Sequence, residues 1–324
     1  MDPDLDTHPA APGVGGTAPG GPEPRVEVVR SPTEERNPRT LDIDVLPTLE
    51  VLRLINAEDA TVAGAVAAVL PELARAVDLG VAALDGGGRI HYFGAGTSGR
   101  LATMDAAELP PTYGVAADLV VAHHAGGEST LREAAEGVED DASLGAADAA
   151  GMRAGDLAVG LAASGRTPYV GGALRRARER GAHTVLVSAN PAAVLAAEVD
   201  VHIGVATGPE VIAGSTRMKA GTAQKLVLNA FSTAVMVRLG GTYSNLMVGV
   251  NASNAKLRGR VVTILTEASG QPADVCADAL AAAGGDTRVA LVCLLTGAEP
   301  DRAAEEVRAA GGSVRDALRR LTTV

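Results

Sequence analysis

The sequence predicts an α/β protein in three layers: a parallel sheet flanked by helices, with N-terminal helices before it and a small C-terminal helical domain after it. Three observations predict this. From Ile90 to Val205, short apolar runs alternate with helical stretches. Strands buried on both faces and joined by helices make a parallel sheet covered on each side. A Gly-rich turn, Gly94-Ala95-Gly96-Thr97-Ser98-Gly99-Arg100, joins the first run to a helix. Beyond Asn254 the strand-like runs stop, and helical segments follow one another, punctuated by Gly270, Gly284-Gly285, Gly297 and Gly311-Gly312.

The N-terminal residues to Pro32 are rich in Pro, Gly and Ala and carry no period, so a disordered tail is expected over residues 1–32. An N-terminal helical segment follows over 33–78. Leu49, Leu52, Ile55 and Asn56 recur at helical spacing after Thr48, and a second helix is expected from Thr61 to Leu84, with Val62, Val66, Val69, Leu70, Leu73 and Val77 on one face. Residues 79–245 hold the sheet. Its strands are expected at Ile90–Phe93, Leu119–Ala122, Leu157–Ala162, Thr184–Ser188 and Val201–Val205. Its helices are expected at Ser98–Glu108, stopped by Pro110-Pro111, and at Thr130–Glu139, Pro168–Arg180 and Pro191–Glu198. A long helix should start near Ser215 and run to Leu239. Residues 246–324 form the helical domain, with helices at Lys256–Ala268, Pro272–Ala283, Thr287–Leu295, Pro300–Ala309 and Ser313–Leu321.

Composition narrows the function. The chain of 324 residues is 47% hydrophobic and only 2% aromatic, without Trp, so its core is aliphatic and a sugar-stacking aromatic platform is not expected. A net charge of −11 argues against nucleic-acid and membrane-surface partners, which reward clustered Lys and Arg. It does not exclude a small anion, which a nest of amides can hold against the global field. Cys276 and Cys293 sit in no metal-ligand spacing, so thiols in a reducing cytoplasm are expected and no metal site. The acidic N-terminus lacks the apolar segment of a signal peptide, and no apolar run is long enough to span a bilayer.

The Gly-rich turn is an anion site in outline: a strand-to-helix turn aims backbone N–H groups at one spot, and the helix dipole adds positive potential. Gly94-x-Gly96-x-x-Gly99 also fits a dinucleotide fingerprint, which needs an acidic residue at the end of the second strand. That strand ends instead in His123-His124-Ala125-Gly126-Gly127, and Glu128 comes too late. A second Ser/Thr-Gly loop, Ala163-Ser164-Gly165-Arg166-Thr167-Pro168, follows the third strand, with Thr167 placed as an N-cap and Pro168 as the first helical residue. Gly214-Ser215-Thr216-Arg217-Met218-Lys219 makes a third. One such loop is an ordinary helix start. Three on one sheet, whose ligands gather at the carboxyl ends of the strands, point to a phosphate held by Thr97, Ser98, Gly99, Ser164, Thr167 and Ser215.

These loops resemble the sugar isomerase (SIS) domain of phosphosugar proteins. More narrowly, the chain resembles the N-acetylmuramic acid 6-phosphate etherase family, from about Thr33 to the C-terminus. The stretches that carry the likeness include Thr33-Glu34-Glu35-Arg36-Asn37-Pro38, Asp105-Ala106-Ala107-Glu108-Leu109-Pro110-Pro111, Glu136-Gly137-Val138-Glu139-Asp140 and Gly214-Ser215-Thr216-Arg217-Met218-Lys219-Ala220-Gly221-Thr222. His123-His124 departs from the pattern, where less polar residues are expected.

The resemblance implies cleavage of the lactyl ether of N-acetylmuramic acid 6-phosphate by elimination and then water addition, with no cofactor, in a cytoplasmic homodimer of cell-wall recycling. Its two carboxylates match Glu108 and Glu139 as the catalytic pair. At the end of the helix from the Gly-rich turn, Glu108 would have its pKa raised by the helix C-terminus, as suits a proton donor. Glu139 lies in an acidic cluster with Glu133, Glu136, Asp140 and Asp141, which by itself reads as a solvated face. Glu210 is the reserve candidate. His123 and His124 point to opposite faces of a strand and are taken as non-catalytic. Arg100, Arg166, Arg217 and Lys219 could pair with the phosphate or the lactate carboxylate, or simply face solvent. The rivals are an aldose–ketose phosphosugar isomerase, a non-catalytic sugar-phosphate sensor and a nicotinamide enzyme.

Overall fold

The computed structural model describes residues 31–132, 137–250 and 255–322. The expected tail falls almost wholly outside them. Ser31 and Pro32 are among the described residues: Ser31 is buried, and Pro32–Glu34 is a 3-10 turn.

Five parallel strands form the sheet: β1 Ile90–Gly94, β2 Val120–His124, β3 Leu157–Leu161, β4 His183–Ser188 and β5 Val201–Gly204, in the order β2-β1-β3-β4-β5. Alternation along each strand sorts its side chains to two layers. Tyr92, Val159, Val185 and Ile203 face one core with α3 (Leu70–Asp85), α4 (Gly96–Tyr113) and α7 (Lys219–Arg238). Phe93, Ala158 and Leu186 face the other, filled by Tyr169, Val170 and Leu174 of α6 (Pro168–Glu179), against which α5 (Ala142–Asp148) packs. The three-layer expectation is what the chain builds.

Several boundaries differ, each for a local reason. The second N-terminal helix is two, α2 (Val62–Ala67) and α3, because Pro71 has no N–H to donate across the joint. On α1 (Thr48–Asp59) the expected apolar face is not buried: Leu49 and Leu52 are each 57% exposed. The helix after the Gly-rich turn does not stop at Glu108. It carries Pro110 and Pro111 inside its last turn and ends at Tyr113, where Gly114 takes the left-handed conformation at φ 66° and donates to Pro110 O. A proline ends a helix only where the missing N–H and the ring's clash are not tolerated, and here they fall in the last turn. The expected helix Thr130–Glu139 is absent from its described part, which holds 3-10 turns at Glu128–Leu131 and Val138–Asp140; Glu133 and Glu136 lie outside the described residues. Asp141 instead caps α5, accepting from Ser143 and Leu144 N–H. Pro191–Glu198 reduces to a 3-10 turn at Val194–Glu198. The long helix begins at Lys219, four residues later than expected.

After a short hairpin, β6 (Thr242–Tyr243) with β7 (Leu246–Met247), come α8 (Ala255–Ser269), α9 (Ala273–Ala282), α10 (Thr287–Thr296), α11 (Pro300–Ala309) and α12 (Val314–Thr322). They enclose a separate aliphatic cluster around Val261, Leu265, Leu291 and Val314. Among the described residues no single helix is long and apolar enough to cross a membrane.

Candidate functional site

The strand order reverses between β1 and β3, which lie side by side with Gly94 paired to Leu161. In an open parallel sheet that switch point opens a crevice beyond the carboxyl ends of the strands. Two of the three loops read as anion cradles leave β1 and β3, so the topology brings those two to one place.

Each loop leaves a helix start open. At α4 the N-cap is Ala95, and among the described residues no side chain bonds the first amides; Gly96 turns the chain at φ 53°. At α6 Thr167 holds the N-cap position as expected, but its hydroxyl does not cap the helix. Unpaired amides at two neighbouring helix N-termini are donors for an anion. Gly165, at φ 70°, lets the β3 loop pass Ala193, whose Cβ would stand 2.2 Å from an added methyl. Asn190 braces that loop by donating to Ser164 O at 3.3 Å.

Thr97 reaches the start of α7: its methyl is 3.5 Å from where a Cβ on Gly221 would lie. Ser98 is buried, and its hydroxyl donates to Gln224 Oε1 on α7 at 2.8 Å, so in this arrangement its proton is spent on the helix pair. Gln224 Nε2 is left without a partner among the described residues. Gly99 has no room for a side chain: an added Cβ would be 2.4 Å from the His124 ring and 2.5 Å from Gly94 O.

The third loop behaves differently. Glu210, fully buried, accepts from Lys219 and Ala220 N–H, both at 2.9 Å, and so occupies the first turn of α7. Burial pushes its pKa up, while the two amides draw it back down. The reserve candidate is thus bonded into a helix cap. Ser215 lies in the turn before α7, with its own N–H bonded to Ile212 O. Lys219, 1% exposed, points away from solvent and pairs with buried Glu58 of α1 at 2.7 Å. Arg39 also bonds Glu58 and, with Lys219, holds that carboxyl at about 2.

Glu139 is exposed on the 3-10 turn Val138–Asp140. Its neighbour Val138 lies against Gly126, just past the tip of β2, which puts this turn at the same edge of the sheet as the two open loops. Glu108 is elsewhere. It is exposed in a cavity of 260 Å³ between α4 and α7, with Asp105, Thr112, Asn229 and Ser232. Twelve residues separate it from Gly96, about 18 Å along the helix at 1.5 Å per residue. Within one chain the phosphate loops and Glu108 are not brought together. Beneath Glu108, Asp105 is buried, accepts from Tyr92 and Ser232 hydroxyls at 3.0 Å each, and is pushed up to about 6 by burial.

The histidines divide as expected. His123 stacks on Phe93 at 4.6 Å and meets His91 Nδ1 at 3.0 Å on one face of the sheet, and burial lowers the pKa of both. His124 lies on the other face, buried against α4. Asp105 and Lys219 fall in stretches that carry the family likeness, but spacing alone does not single out Asp105, Gln224, Asn190 or the pairing of Glu58 with Lys219.

A parallel sheet with two uncapped helix starts at its switch point places the chain in the class of α/β proteins built to hold a phosphate there. Residues 130–234 match the SIS domain and residues 72–178 the glucokinase regulatory protein N-terminal SIS domain. A phosphoheptose isomerase from Neisseria gonorrhoeae is similar over 59% of this chain and 100% of its own, at 21% identity and a TM-score of 0.47. Within that class, the N-acetylmuramic acid 6-phosphate etherase of Thermobifida fusca is 76% identical over 84% of this chain and 89% of its own. That of Symbiobacterium thermophilum is 54% identical over 84% and 91%. The chain belongs to the N-acetylmuramic acid 6-phosphate etherase family.

Proposed function

We propose that the protein cleaves the D-lactyl ether at C3 of N-acetylmuramic acid 6-phosphate, giving N-acetylglucosamine 6-phosphate and D-lactate in cytoplasmic recycling of the cell wall. The single observation that carries this reading beyond family membership is the pair of uncapped helix starts, α4 and α6, side by side at the β1–β3 switch point. They fit a phosphate, which anchors the sugar by one end and leaves C2 and C3 to be worked on.

An ether oxygen is a poor leaving group, so elimination is the accessible route. With the ring open, a base removes the C2 proton beside the C1 aldehyde. The electron pair forms the C2–C3 double bond, and lactate leaves from C3 as its oxygen takes a proton from an acid. Water then adds across the double bond at C3, and C2 is reprotonated. Fixed geometry and one acid–base pair suffice for this. Glu108 is assigned the proton to the departing oxygen and Glu139 the C2 proton or the incoming water, with Thr97, Gly99, Ser164 and Thr167 at the phosphate. Ser98 and Ser215 act by shaping the loops that carry these contacts.

Because Glu108 is remote from the loops of its own chain, the reading needs a homodimer in which each site borrows the partner's Glu108. Two features support it. Glu108 is exposed beside Met104, itself 47% exposed, and Leu41, Val45, Leu49 and Leu52 leave an apolar stripe in solvent on the N-terminal segment. The division at residues 33–78, 79–245 and 246–324 is kept as part of the same reading, with the last segment carrying its own aliphatic cluster.

The test is release of D-lactate and N-acetylglucosamine 6-phosphate from N-acetylmuramic acid 6-phosphate. Isomerisation without lactate would reject it in favour of an isomerase. Glu108→Gln is expected to bind substrate and lose turnover by about 10²–10⁴-fold. Mixing that variant with a Ser164→Ala/Thr167→Val variant, each inactive alone, should restore activity by forming one intact shared site. No restoration would exclude sharing.

A further inference from the structure

We propose that His124 is a positioning residue for phosphate binding: its imidazole bonds the Gly96 carbonyl, and so fixes and polarises the peptide whose N–H is Thr97. The inference rests on the reading of the Gly94–Arg100 turn as the phosphate grip.

His124 ends β2, and its side chain crosses to the start of α4. Nε2 lies 3.2 Å from Gly96 O, and Nδ1 lies 2.8 Å from Thr130 Oγ1. Nδ1 also lies 3.0 Å from Ala125 O, and the Thr130 hydroxyl is 2.8 Å from Ala125 O and 2.7 Å from Gly127 O. A carbonyl oxygen only accepts, so the bond to Gly96 O requires a proton on Nε2, with Nδ1 then accepting from the Thr130 hydroxyl; a proton on Nδ1 alone would serve Ala125 O instead. The ring packs against Gly99, where a Cβ would stand 2.4 Å from its Cδ2. Arg100 ties the same turn to the same segment from the other side: Nε donates to Leu131 O at 2.8 Å and a terminal nitrogen to Thr130 O at 2.9 Å. The first turn of α4 is therefore bonded at two points to residues 130–131, which precede the turn bearing Glu139.

The Gly96 carbonyl and the Thr97 N–H belong to one peptide unit. A donor on the carbonyl polarises that unit and makes its N–H a stronger donor to an anion. It also holds Gly96 in its left-handed conformation at φ 53°, on which the aim of the Thr97 and Ser98 amides depends. An apolar residue at 124 could fill the same space but could not bond Gly96 O. The sequence presents His124 only as a polar departure after a strand. The fold gives it this partner.

The experiment compares His124→Leu, His124→Gln and Thr97→Ala with the full-length enzyme, measuring KM, kcat and the inhibition constant of inorganic phosphate. His124→Leu is expected to raise KM and the phosphate constant by about tenfold, the worth of one hydrogen bond, with kcat changed less than threefold. His124→Gln, whose amide N–H can meet Gly96 O, should recover most of the loss. A phosphate constant within twofold of the parent for His124→Leu overturns the inference. If Thr97→Ala is then also unchanged, the phosphate reading of the turn falls with it; if Thr97→Ala weakens phosphate, only the role of His124 falls. Should His124→Leu fail to fold, imidazole ¹⁵N resonances of the parent enzyme decide: a proton on Nε2 is expected, and one on Nδ1 alone overturns it.

Discussion

The starts of α4 and α7 look alike in sequence and differ in what holds their amides. Gly96, Thr97 and Ser98 open α4, and Gly214, Ser215 and Thr216 precede α7; the two starts lie next to each other in space, with Thr97 packed near Gly221. At α4 the N-cap Ala95 makes no side-chain cap, and no side chain among the described residues bonds the first amides. At α7 Glu210 takes two amides, and the charge it brings is accompanied by Lys219 paired to Glu58. A helix N-terminus attracts whichever anion reaches it first. At α7 that anion is a carboxylate of the same chain, nine residues before the helix. The first region is open for ligand and the second is a structural clamp.

Substitutions can break or sharpen this contrast. The largest effect on folding is expected at the clamp. Lys219→Met strands the Glu58 carboxylate in a buried place with exposed Arg39 as its remaining cation, and should cost about 3–5 kcal/mol in denaturant unfolding. If stability is unchanged and phosphate affinity falls instead, α7 is part of the ligand site and the contrast fails.

Asp105 joins the two helices from below, bonded to Ser232 of α7. Its pKa in the folded protein is about 6 against an ordinary 3.8, so the charged form opposes folding. Stability on its account rises as pH falls from above 6 towards 3.8. Asp105→Asn should accordingly be more stable than the parent at pH 8, by on the order of 2–3 kcal/mol, with the gap closing by pH 4. Thermal melts of both proteins across that range check it.

Glu210→Gln keeps one acceptor oxygen and loses the charge. A loss of about 1–2 kcal/mol is expected, with KM unaltered once folded. Ser215→Ala should be the mildest, within about 0.5 kcal/mol of the parent, and should change the phosphate inhibition constant less than twofold. A large rise in that constant would return the third loop to the site.

Much of this was legible in the residues. The alternation of apolar runs and helices gave the three layers, and the Gly-Ser/Thr spacing marked the loops at β1 and β3. The failures were local. Pro110 and Pro111 suggest a stop after Glu108, yet a helix tolerates them in a last turn closed by Gly114. Leu49 and Leu52 have the spacing of a buried face and are exposed, because periodicity states which residues share a face and not what covers it. Glu210 has no local signature as a cap, since its partners are on another element.

The sequence by itself determined the layers, the order of strands and helices along the chain, and the residue types able to hold a phosphate, because hydrophobic period and turn chemistry are local properties. Tertiary structure alone decided which helix starts stay open, that His124 meets Gly96, and that Glu108 faces a cavity between α4 and α7 away from its own loops. Those depend on side chains far apart in the chain competing for the same amides and carbonyls, and only packing settles that competition.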